Sequence, residues 1–590
     1  MTSSIALRPH RAGAPRRRAS WCLLAVAALL ASVLYGAVVP AAAPARAESN
    51  GAALTPQSGW SSWSFIRKNP TEANIEAQAA AMASTGLVTH GFTYVNIDDF
   101  YYLSPHSNVD TYGRWVIDTA KFPHGMKAVG DYIHGKGEKF GMYLTPGIPV
   151  GAYDKNTPIE GTSFHARDIV SDTTHYEKNY NFADGAMYFI DWDKNPAAAQ
   201  AFVNSWADLL ASYGVDYLKM DGVGTSDKAD VQHWSQALDQ SGRTIHFQLS
   251  NALDINQGAF WKQYSNGWRV DGDVECYCST LTNWNNVSKR FNDLPGWVRF
   301  DSAGGWGDPD SVDVGNGASN GLTVDERRTE LSLWAISSAP LVLGTDLTHM
   351  DSGDLALLTN DEVLGVDRSG HPAHPVKQGA QQQTWWSYNN SDGSYNVALF
   401  NLAGSTADVT ANWSDLGFTG NATVRDLWSH TDLGTSGGKF TASLPSHGSR
   451  LLRVAPAAGH GTIGTPLVSK LSGRCVDSPQ ATTYNAVQLQ VWGCNGAPNQ
   501  NVTYSSSDKT LRLEGKCFDA HDNQTAAGTH VEIYDCNGGA NQQWNKNSSG
   551  SITGVQSGLC LDVTGTTNPN GSGLELWTCN GGQNQQWTLK

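Results

Sequence analysis

The length, composition and charge of the chain narrow the class of protein. It has 590 residues, of which 40% are apolar, 10% aromatic and 16% charged, with 61 Gly and a formal net charge of −15. This mix is typical of several folded, loop-rich domains and excludes a disordered chain. The only cluster of basic residues lies at the extreme N-terminus, so we expect no nucleic-acid partner.

Residues 1–47 are predicted to be a signal peptide. Five arginines between positions 8 and 18 precede an apolar stretch over 21–39, and Ala45-Arg46-Ala47 follows as a cleavage site. The stretch is long enough to span a membrane, so an uncleaved anchor is the alternative. The paired arginines leave Sec and twin-arginine export open. After cleavage 34 basic and 55 acidic residues remain, a net charge of −21, and we expect a secreted, extracellular protein without membrane contact.

Residues 48–367 alternate short apolar runs with helix-like segments such as AAAQAFVNSWADLLASYG. The predicted strands cover 59–65, 93–99, 139–145, 217–223, 245–251, 268–274, 297–303 and 341–346. Eight such alternations predict a (β/α)8 TIM barrel rather than an open sheet. No Gly-rich dinucleotide fingerprint follows a strand, so a nucleotide-binding sheet is disfavoured and no cofactor is expected.

Carboxylates end or closely follow several of these predicted strands. They are Asp98, Asp99, Asp221, Asp273, Asp301, Asp308 and Asp310. Residues at the carboxyl ends of barrel strands face the active site, although Asp is also a common helix N-cap, which is the alternative for any single one. Trp63, Trp268 and Trp306 are predicted to flank them. Carboxylates and aromatic platforms without clustered metal ligands indicate glycoside hydrolysis without a metal.

Two carboxyl groups divide the work in that reaction, one attacking the sugar or activating water and the other protonating the leaving oxygen. Asp221 lies near Lys219 in the sequence, whose positive charge favours the ionised form that a nucleophile requires. Asp273 is flanked by Gly272 and Val274 with no adjacent base. We therefore expect a raised pKa for Asp273, as a general acid requires.

YLKMD (217–221) and WRVDGD (268–273) resemble the nucleophile and acid/base motifs of glycoside hydrolase family 27, which contains α-galactosidases and α-N-acetylgalactosaminidases. GWSSW, YVNIDD, WGDPD and LWAISSAPLVLGTDL match in the family's order. The resemblance implies retaining double displacement on terminal α-D-galactosyl residues of an oligo- or polysaccharide, with Asp221 as nucleophile and Asp273 as acid/base. It also implies a sugar site lined by Trp63, Asp98, Asp99, Tyr143, Lys219, Ser250, Arg269 and Asp310.

The chain departs from the family pattern at positions that leave the sugar open. Phe100 stands where many members have Cys, and Ser250 stands at a position where eukaryotic galactosidases carry Glu and N-acetylgalactosaminidases Ser. Cys276 and Cys278 follow the acid/base motif, either bridged or as free or otherwise paired thiols. The alternatives are α-N-acetylgalactosaminidase, β-L-arabinopyranosidase and isomalto-specific activity, and, in another class, a catalytically inactive lectin.

Residues 368–456 are predicted to form a small antiparallel β-sandwich, because TWWSYNN, YNVALFNL and SRLLRVA are short apolar runs with strand-like alternation. The following segment, 457–466, is rich in Pro, Gly and Ala and is predicted to be a linker.

Residues 467–590 contain a threefold repeat. Each copy has C-[VFL]-D, an aromatic residue two positions before a second Cys, and Asn-Gln after it. The two cysteines of each copy are 19 residues apart: Cys475 and Cys494, Cys517 and Cys536, Cys560 and Cys579. Three copies of this register predict an all-β module, and we expect the cysteines to form disulfides.

The repeat resembles a ricin-type β-trefoil, carbohydrate-binding module family 13. The resemblance implies that each copy binds sugar with an acid, a stacking aromatic and an amide, so that the module has a polysaccharide partner. The implied residues are Asp477, Trp492 and Asn499, then Asp519, Tyr534 and Asn541, then Asp562, Trp577 and Asn584. Trp544 and Trp587 are expected in the trefoil core, where the first copy has Val502 instead. Weak sites joined in one module gain avidity on polymers.

Overall fold

Eight parallel strands close into a barrel in the first region of the chain. The computed structural model describes residues 50–182, 185–389, 391–483 and 485–590, so the predicted signal peptide lies outside the described residues. In the described ranges no helix is both long and apolar enough to cross a membrane.

The barrel strands are joined in the order β10-β1-β2-β3-β6-β7-β8-β9. Their bounds are β1 (Ser58–Ser61), β2 (Tyr94–Ile97), β3 (Lys139–Leu144), β6 (Tyr217–Met220), β7 (His246–Leu249), β8 (Gly267–Arg269), β9 (Trp306–Asp308) and β10 (Leu341–Leu343). A parallel bridge between Val312 and Leu343 joins the segment after β9 to β10 and closes the ring. Two short strands, β4 (Ile148–Pro149) and β5 (Met187–Tyr188), pair with each other outside it. The predicted TIM barrel is confirmed.

Helices surround the strands. They are α1 (Trp63–Ile66), α2 (Glu72–Ser84), α3 (Gly125–Gly135), α4 (Val150–Lys155), α5 (Pro196–Tyr213), α6 (Lys228–Gln240), α7 (Gly258–Tyr264), α8 (Trp284–Trp297), α9 (Val324–Ile336), α10 (Ser352–Leu358) and α11 (Asp361–Asp367). Helix α5 shows why they form: Asn195 caps its first turn and Gly214 ends it in the left-handed region. Phe202, Trp206 and Leu210, spaced four apart, are buried on one face.

The predicted strand over 297–303 is wrong, and this moves Asp301. Helix α8 runs to Trp297 and continues as a 3₁₀ turn, Val298–Phe300, before the strand begins at Trp306. The side chains of Phe291, Leu294 and Trp297 are buried three residues apart, which is helical rather than strand spacing. Asp301 therefore precedes β9 and lies at the amino-terminal end of the barrel, where its Oδ1 accepts the Gly307 N–H at 2.7 Å.

An antiparallel sandwich follows the barrel. Its larger sheet has the order β11-β12-β13-β19-β16-β17 and a two-stranded sheet pairs β14 with β18. The bounds are β11 (His374–Gln378), β12 (Gln382–Asn389), β13 (Ser394–Asn401), β14 (Ala407–Asn412), β16 (Asn421–Asp426), β17 (Thr431–Gly437), β18 (Lys439–Leu444) and β19 (Ser449–Pro456). Trp386, Leu399, Trp413 and Leu452 are central to its core.

The segment predicted as a linker is partly ordered into a strand. Two residues of it, β20 (Gly461–Thr462), pair with β15 (Phe418–Thr419) on the sandwich. The linker therefore fastens the sandwich to the region that follows.

The last region is a β-trefoil built from short antiparallel strands. These are β21 (Thr465–Ser469), β22 (Cys475–Asp477), β23 (Val487–Gln488), β24 (Gln490–Trp492), β25 (Asn501–Ser505), β26 (Thr510–Leu513), β27 (Lys516–Ala520), β28 (Val531–Tyr534), β29 (Trp544–Lys546), β30 (Ile552–Gly554), β31 (Cys560–Val563), β32 (Ser572–Trp577) and β33 (Trp587–Leu589). Val476, Phe518 and Leu561, each next to the first Cys of a repeat, are fully buried, as is Trp544. The sandwich and the trefoil agree with the predicted fold class.

Candidate active site

The predicted sugar-site residues gather at the carboxyl ends of the barrel strands, which share one face in a parallel barrel. Asp98 and Asp99 follow β2, Asp221 follows β6, Ser250 follows β7, and Asp273 and Asp310 lie just beyond β8 and β9. A small cavity of about 30 Å³ at this face is lined by Trp63, Lys219, Ser250, Arg269 and Asp310, among others.

Lys219 forms the centre of the first charge cluster. Its Nζ bonds Asp98 Oδ2 at 2.8 Å and lies 5.9 Å from the ring centroid of Tyr143. Burial lowers the pKa of Lys219, but the negative charges of Asp98 and Asp221 outweigh it and hold that pKa well above the usual value. Lys219 is therefore a cation that bonds Asp98 and lies close enough to Asp221 to feel its charge.

Asp99 and Tyr143 carry buried polar atoms that point to a ligand. Asp99 Oδ2 and the Tyr143 hydroxyl make no hydrogen bond of ordinary geometry with the described residues, although the Tyr102 hydroxyl lies near Asp99, and both side chains are almost completely buried. Burial raises the pKa of Asp99 to about 7, with Asp98 contributing and the Phe100 N–H opposing. Because buried polar groups are normally bonded, a bound sugar hydroxyl would satisfy both atoms.

Two backbone hydrogen bonds hold Asp221, one to the neighbouring strand β3 and one to the next residue. Its N–H donates to the Leu144 carbonyl at 2.8 Å, and its Oδ1 accepts the Gly222 N–H at 2.8 Å. The carboxylate is partly exposed at the mouth, so its second oxygen can face a substrate.

Arg269 organises the opposite side of the mouth. Its two terminal nitrogens bond Asp273 Oδ1 at 3.1 Å and Asp310 Oδ1 at 2.9 Å, while the guanidinium group is only 3% exposed. Asp310 has a left-handed backbone, φ +89°, and its Oδ2 accepts the Val274 N–H at 2.7 Å. This bond ties the segment that carries Asp273 to the end of β9.

The expected rise in the pKa of Asp273 is contradicted. Burial does act to raise that pKa, but the Arg269 charge and the hydrogen bond that the Tyr277 hydroxyl donates outweigh it and lower the pKa to about 2. The sequence neighbours of Asp273 are apolar, whereas its neighbours in space are a cation and a hydroxyl. Asp273 is thus ionised in this arrangement.

Two tyrosines belong to the site although the motif reasoning missed them. Tyr277 bonds Asp273 and also accepts the Trp63 indole N–H at 3.0 Å. Tyr180 is 46% exposed at the mouth, and burial together with the charges of Asp221 and Asp273 raises its pKa to about 12. The E-C-Y-C run after the acid/base motif was a signal for Tyr277; nothing in the sequence marks Tyr180.

Two other expectations about the mouth need correction, and one open question is answered. Trp268 and Trp306 are fully buried and belong to the core, with the Trp306 indole donating to the Ala53 carbonyl at 2.9 Å. Of the three tryptophans predicted to flank the carboxylates, Trp63 is the one at the mouth. Asp301 lies at the other end of the barrel, as described above. Cys276 and Cys278 are bridged to each other, which resolves their state.

Three carboxylates at the mouth lie close enough together to share one cation. Oxygens of Asp273, Glu275 and Asp310 lie within 4.8 Å of one another. Arg269 already bonds two of these side chains, and the Ser64 hydroxyl donates to Glu275. Arg269 thus already pairs with two of the three carboxylates.

The trefoil repeats each assemble the three side chains that the sequence predicted. Asn499, Asn541 and Asn584 donate to Asp477, Asp519 and Asp562 at 3.0, 2.8 and 2.8 Å. The neighbouring aromatics, Trp492, Tyr534 and Trp577, are 42%, 38% and 43% exposed. Disulfides Cys475–Cys494, Cys517–Cys536 and Cys560–Cys579 join the strand that carries each acid to the segment that follows each aromatic. Trp587 and Trp544 are both part of the trefoil core, as predicted.

A parallel barrel whose mouth combines carboxylates, fixed cations and unpartnered polar atoms defines a barrel glycoside hydrolase. The family model described as "Alpha galactosidase A" matches residues 55–170 and 195–369, its C-terminal β-sandwich domain matches 379–454, and the ricin-type β-trefoil lectin domain matches 464–587. The chain belongs to the α-galactosidase family, glycoside hydrolase family 27. The predicted family is confirmed.

Relatives from plants, bacteria and fungi cover the barrel and the sandwich. The α-galactosidases of Cyamopsis tetragonoloba and Coffea arabica are each 32% identical over 69% of this chain, which is 88% and 96% of their own lengths. The crystal structure of a family 27 β-L-arabinopyranosidase from Geobacillus stearothermophilus is 31% identical, with a TM-score of 0.62 over 69% of this chain and 98% of its own. That of α-galactosidase I from Mortierella vinacea is 27% identical, with a TM-score of 0.56 over 70% of this chain and 99% of its own.

Proposed function

We propose that the protein is a secreted, retaining exo-α-galactosidase that removes terminal α-D-galactosyl residues from oligo- or polysaccharides. The observation that carries this proposal is the pair Asp221 and Asp273 on two strand ends, with Lys219 beside the first and Arg269 bonded to the second. The curated relatives named above are α-galactosidases.

In this mechanism Asp221 attacks the anomeric carbon while Asp273 gives its proton to the glycosidic oxygen, and the bond to the leaving group breaks. Asp273 then takes a proton from water, whose oxygen attacks the same carbon and releases Asp221. Since Asp273 is ionised while it bonds Tyr277 and Arg269, substrate binding must displace at least one of these contacts before the first step. Asp99 and Tyr143 supply the buried acceptor and hydroxyl that hold the sugar.

A β-L-arabinopyranosidase is the second candidate, favoured by the Geobacillus structure. A β-L-arabinopyranoside is an α-D-galactoside without the hydroxymethyl group on C5, so both sugars offer the same ring hydroxyls to the buried acids. Ser250, buried at the end of β7, keeps α-N-acetylgalactosaminide among the substrates to test.

The deciding experiment measures release of p-nitrophenol from the α-galactoside, the α-N-acetylgalactosaminide and the β-L-arabinopyranoside. We expect the α-galactoside to have the highest kcat/KM, and ¹H NMR to show the α-anomer as the first product. Asp221→Ala should lower kcat by about 10⁴-fold or more, whereas Asp131→Asn, a change in an exposed ion pair on α3, should not. A β-anomer first, or an active Asp221→Ala variant, would refute the mechanism.

Export is part of the proposal because the described residues hold four disulfides, which persist in oxidising compartments. N-terminal sequencing of protein recovered from the culture medium should begin after Ala47. Full-length protein retained in cells would contradict secretion.

A further inference from the structure

The loop after β8 sets one aromatic side chain between Asp273 and a neighbouring groove. Tyr277 lies between the bridged Cys276 and Cys278 and has φ +49°, a conformation that residues other than glycine rarely adopt. A bridge across a single residue restricts the backbone of that residue, so the disulfide holds Tyr277 in this orientation. Its hydroxyl bonds Asp273 on one side and the Trp63 indole on the other.

The other face of Tyr277 lines a groove of about 1000 Å³, which is large for a small-molecule site, typically roughly 300–1,000 Å³. The rings of Phe65 and Tyr277 are 42% and 54% exposed there. The Arg67 guanidinium lies 4.8 Å from the Tyr277 ring centroid, and Asn316 and His349 line the far wall. Aromatic faces stack on the apolar face of a sugar ring, and charged or amide groups bond its hydroxyls.

The position of the groove next to Asp273 determines which part of a substrate can bind there. An acid/base carboxyl protonates the glycosidic oxygen, so the leaving group lies on the Asp273 side of the cleaved bond. Tyr277 touches Asp273 and opens into the groove. A leaving group longer than one sugar must therefore pass this residue.

We propose that the groove is the leaving-group subsite and takes the sugar residues of an oligo- or polysaccharide chain, with the disulfide loop holding Tyr277 at its entrance. The proposal rests on the proposed function, because it assigns the acid/base role to Asp273. It predicts that the enzyme prefers a galactosylated oligosaccharide to a substrate whose leaving group is a single small ring. Reduction of the bridge should lessen that preference.

The test compares kcat/KM for an α-(1→6)-galactosylated mannotriose with kcat/KM for α-(1→6)-galactosyl mannose, whose leaving group is a single sugar of similar basicity. Wild type should favour the oligosaccharide, and Tyr277→Ala should lower the ratio of the two values about tenfold, mainly through KM for the oligosaccharide. Tyr277→Phe keeps the ring and should keep most of the ratio, while it shifts the pH profile because Asp273 loses a donor. The Cys276→Ser/Cys278→Ser variant should shift the ratio in the same direction as Tyr277→Ala.

Arg67→Ala provides an arm that changes a residue outside the disulfide loop, and it should lower the same ratio. Equal losses on both substrates would show a merely structural role for Tyr277, and an unchanged ratio in Tyr277→Ala and Arg67→Ala would overturn the subsite. Wild type inactive on both substrates would instead defeat the proposed function, so the two failures are distinguishable.

A second cavity, independent of the first, surrounds the sugar-binding triad of the first trefoil repeat. It has a volume of about 520 Å³ and is lined by Asp477, Trp492 and Asn499 together with residues of the barrel and the sandwich. The barrel contributes Asp301–Ala303 and the sandwich contributes Ser387 and Tyr388, with Gly370–Pro372 between them.

The first triad also differs in its hydrogen bonds. Gln490 donates to Asp477 Oδ1 at 2.8 Å, and Asn499 bonds the other oxygen. Glu532 and Glu575 stand at the equivalent strand positions in the other repeats. We infer that this first site is a composite one, in which Tyr388 of the sandwich and His371 complete the sugar-binding cleft of the trefoil.

Isothermal titration with xylotetraose, which carries no galactosyl residue for the barrel mouth, tests this in a Tyr534→Ala/Trp577→Ala background, where the first site is the one trefoil site left intact. We expect one bound ligand per chain, and at least a fivefold loss of affinity on adding Tyr388→Ala or His371→Ala. Leu433→Ala, a change at an exposed residue on the sandwich away from the cleft, is the control. No binding in the background variant, or affinity indifferent to Tyr388 and His371, would overturn the composite site.

Discussion

Glu138, just before β3, is a buried acid that takes no part in the site. Its side chain is 3% exposed, and neither oxygen has a hydrogen-bond partner among the described residues. Burial raises its pKa to about 8, against a small opposing effect of the Lys136 charge. Its carboxyl group is therefore protonated in the folded protein over most of the acidic range.

This gives a prediction for stability against pH. The folded state binds a proton that the unfolded state has lost above its ordinary pKa of 4.5, so the stabilisation is complete below pH 4.5 and is lost as the pH rises towards 8. Glu138→Gln should raise the thermal midpoint by a few °C at pH 8 and hardly at pH 4. Calorimetry at both pH values checks this, and an equal change at both would contradict it.

Single residues also show what the sequence could and could not reveal about the site. Asp98 and Asp221 were predictable because each ends a strand, and strand ends in a parallel barrel share a face. The ionisation state of Asp273 was not predictable, because its hydrogen bonds with Arg269 and Tyr277 depend on side-chain positions in the folded protein. Tyr180 lies on a segment without regular structure, where periodicity carries no information.

At the scale of elements, helix α9 joins the barrel to the sandwich through its cap. Thr323 and Glu326 form a capping box, in which Glu326 Oε2 accepts the Thr323 N–H at 2.8 Å. The other oxygen of Glu326 bonds His447 of the sandwich at 2.6 Å, and His447 stacks on Trp284 at 4.4 Å. One carboxylate thus both starts a helix and holds the neighbouring domain.

Glu326→Ala should therefore cost more stability than loss of a cap alone. Thr323→Ala should lower the free energy of unfolding by about 1 kcal/mol, as for an ordinary N-cap, and Thr71→Ala in the capping box of α2 should match it. Glu326→Ala should exceed both and broaden or split the calorimetric transition of barrel and sandwich. Equal effects of the three variants would show that the His447 contact adds nothing.

Elements with a clear period were predictable, and those with mixed signals were not. Helix α5 has its cap, its apolar stripe and its terminal Gly. The stretch over 297–303 has alternating apolar and polar residues by coincidence, because it joins the last turn of α8 to a 3₁₀ turn. For the same reason the first strand was predicted too long. It was expected over 59–65, but it ends at Ser61, and α1 begins at Trp63.

On the scale of the whole molecule, the trefoil is the part that would hold the enzyme on a polymer. Tyr534 and Trp577 are exposed platforms beside bonded acid–amide pairs. The double variant Tyr534→Ala/Trp577→Ala should lose about tenfold or more in affinity for insoluble galactan or xylan, because linked sites multiply. Depletion assays measure the bound fraction, and retention as strong as wild type would contradict the tether.

The cleft at the first trefoil repeat touches the barrel at Asp301–Ala303, ahead of β9, while the catalytic carboxylates follow the strands. A barrel strand of six residues such as β3 spans ~20 Å at roughly 3.3 Å per residue. A glycan seated in the cleft therefore cannot offer the adjoining sugar to the mouth of the same molecule. An enzyme bound to a polymer through this cleft would cleave side groups on neighbouring chains. Its rate on a polymer should therefore depend more on how densely the chains are packed than on the length of each chain.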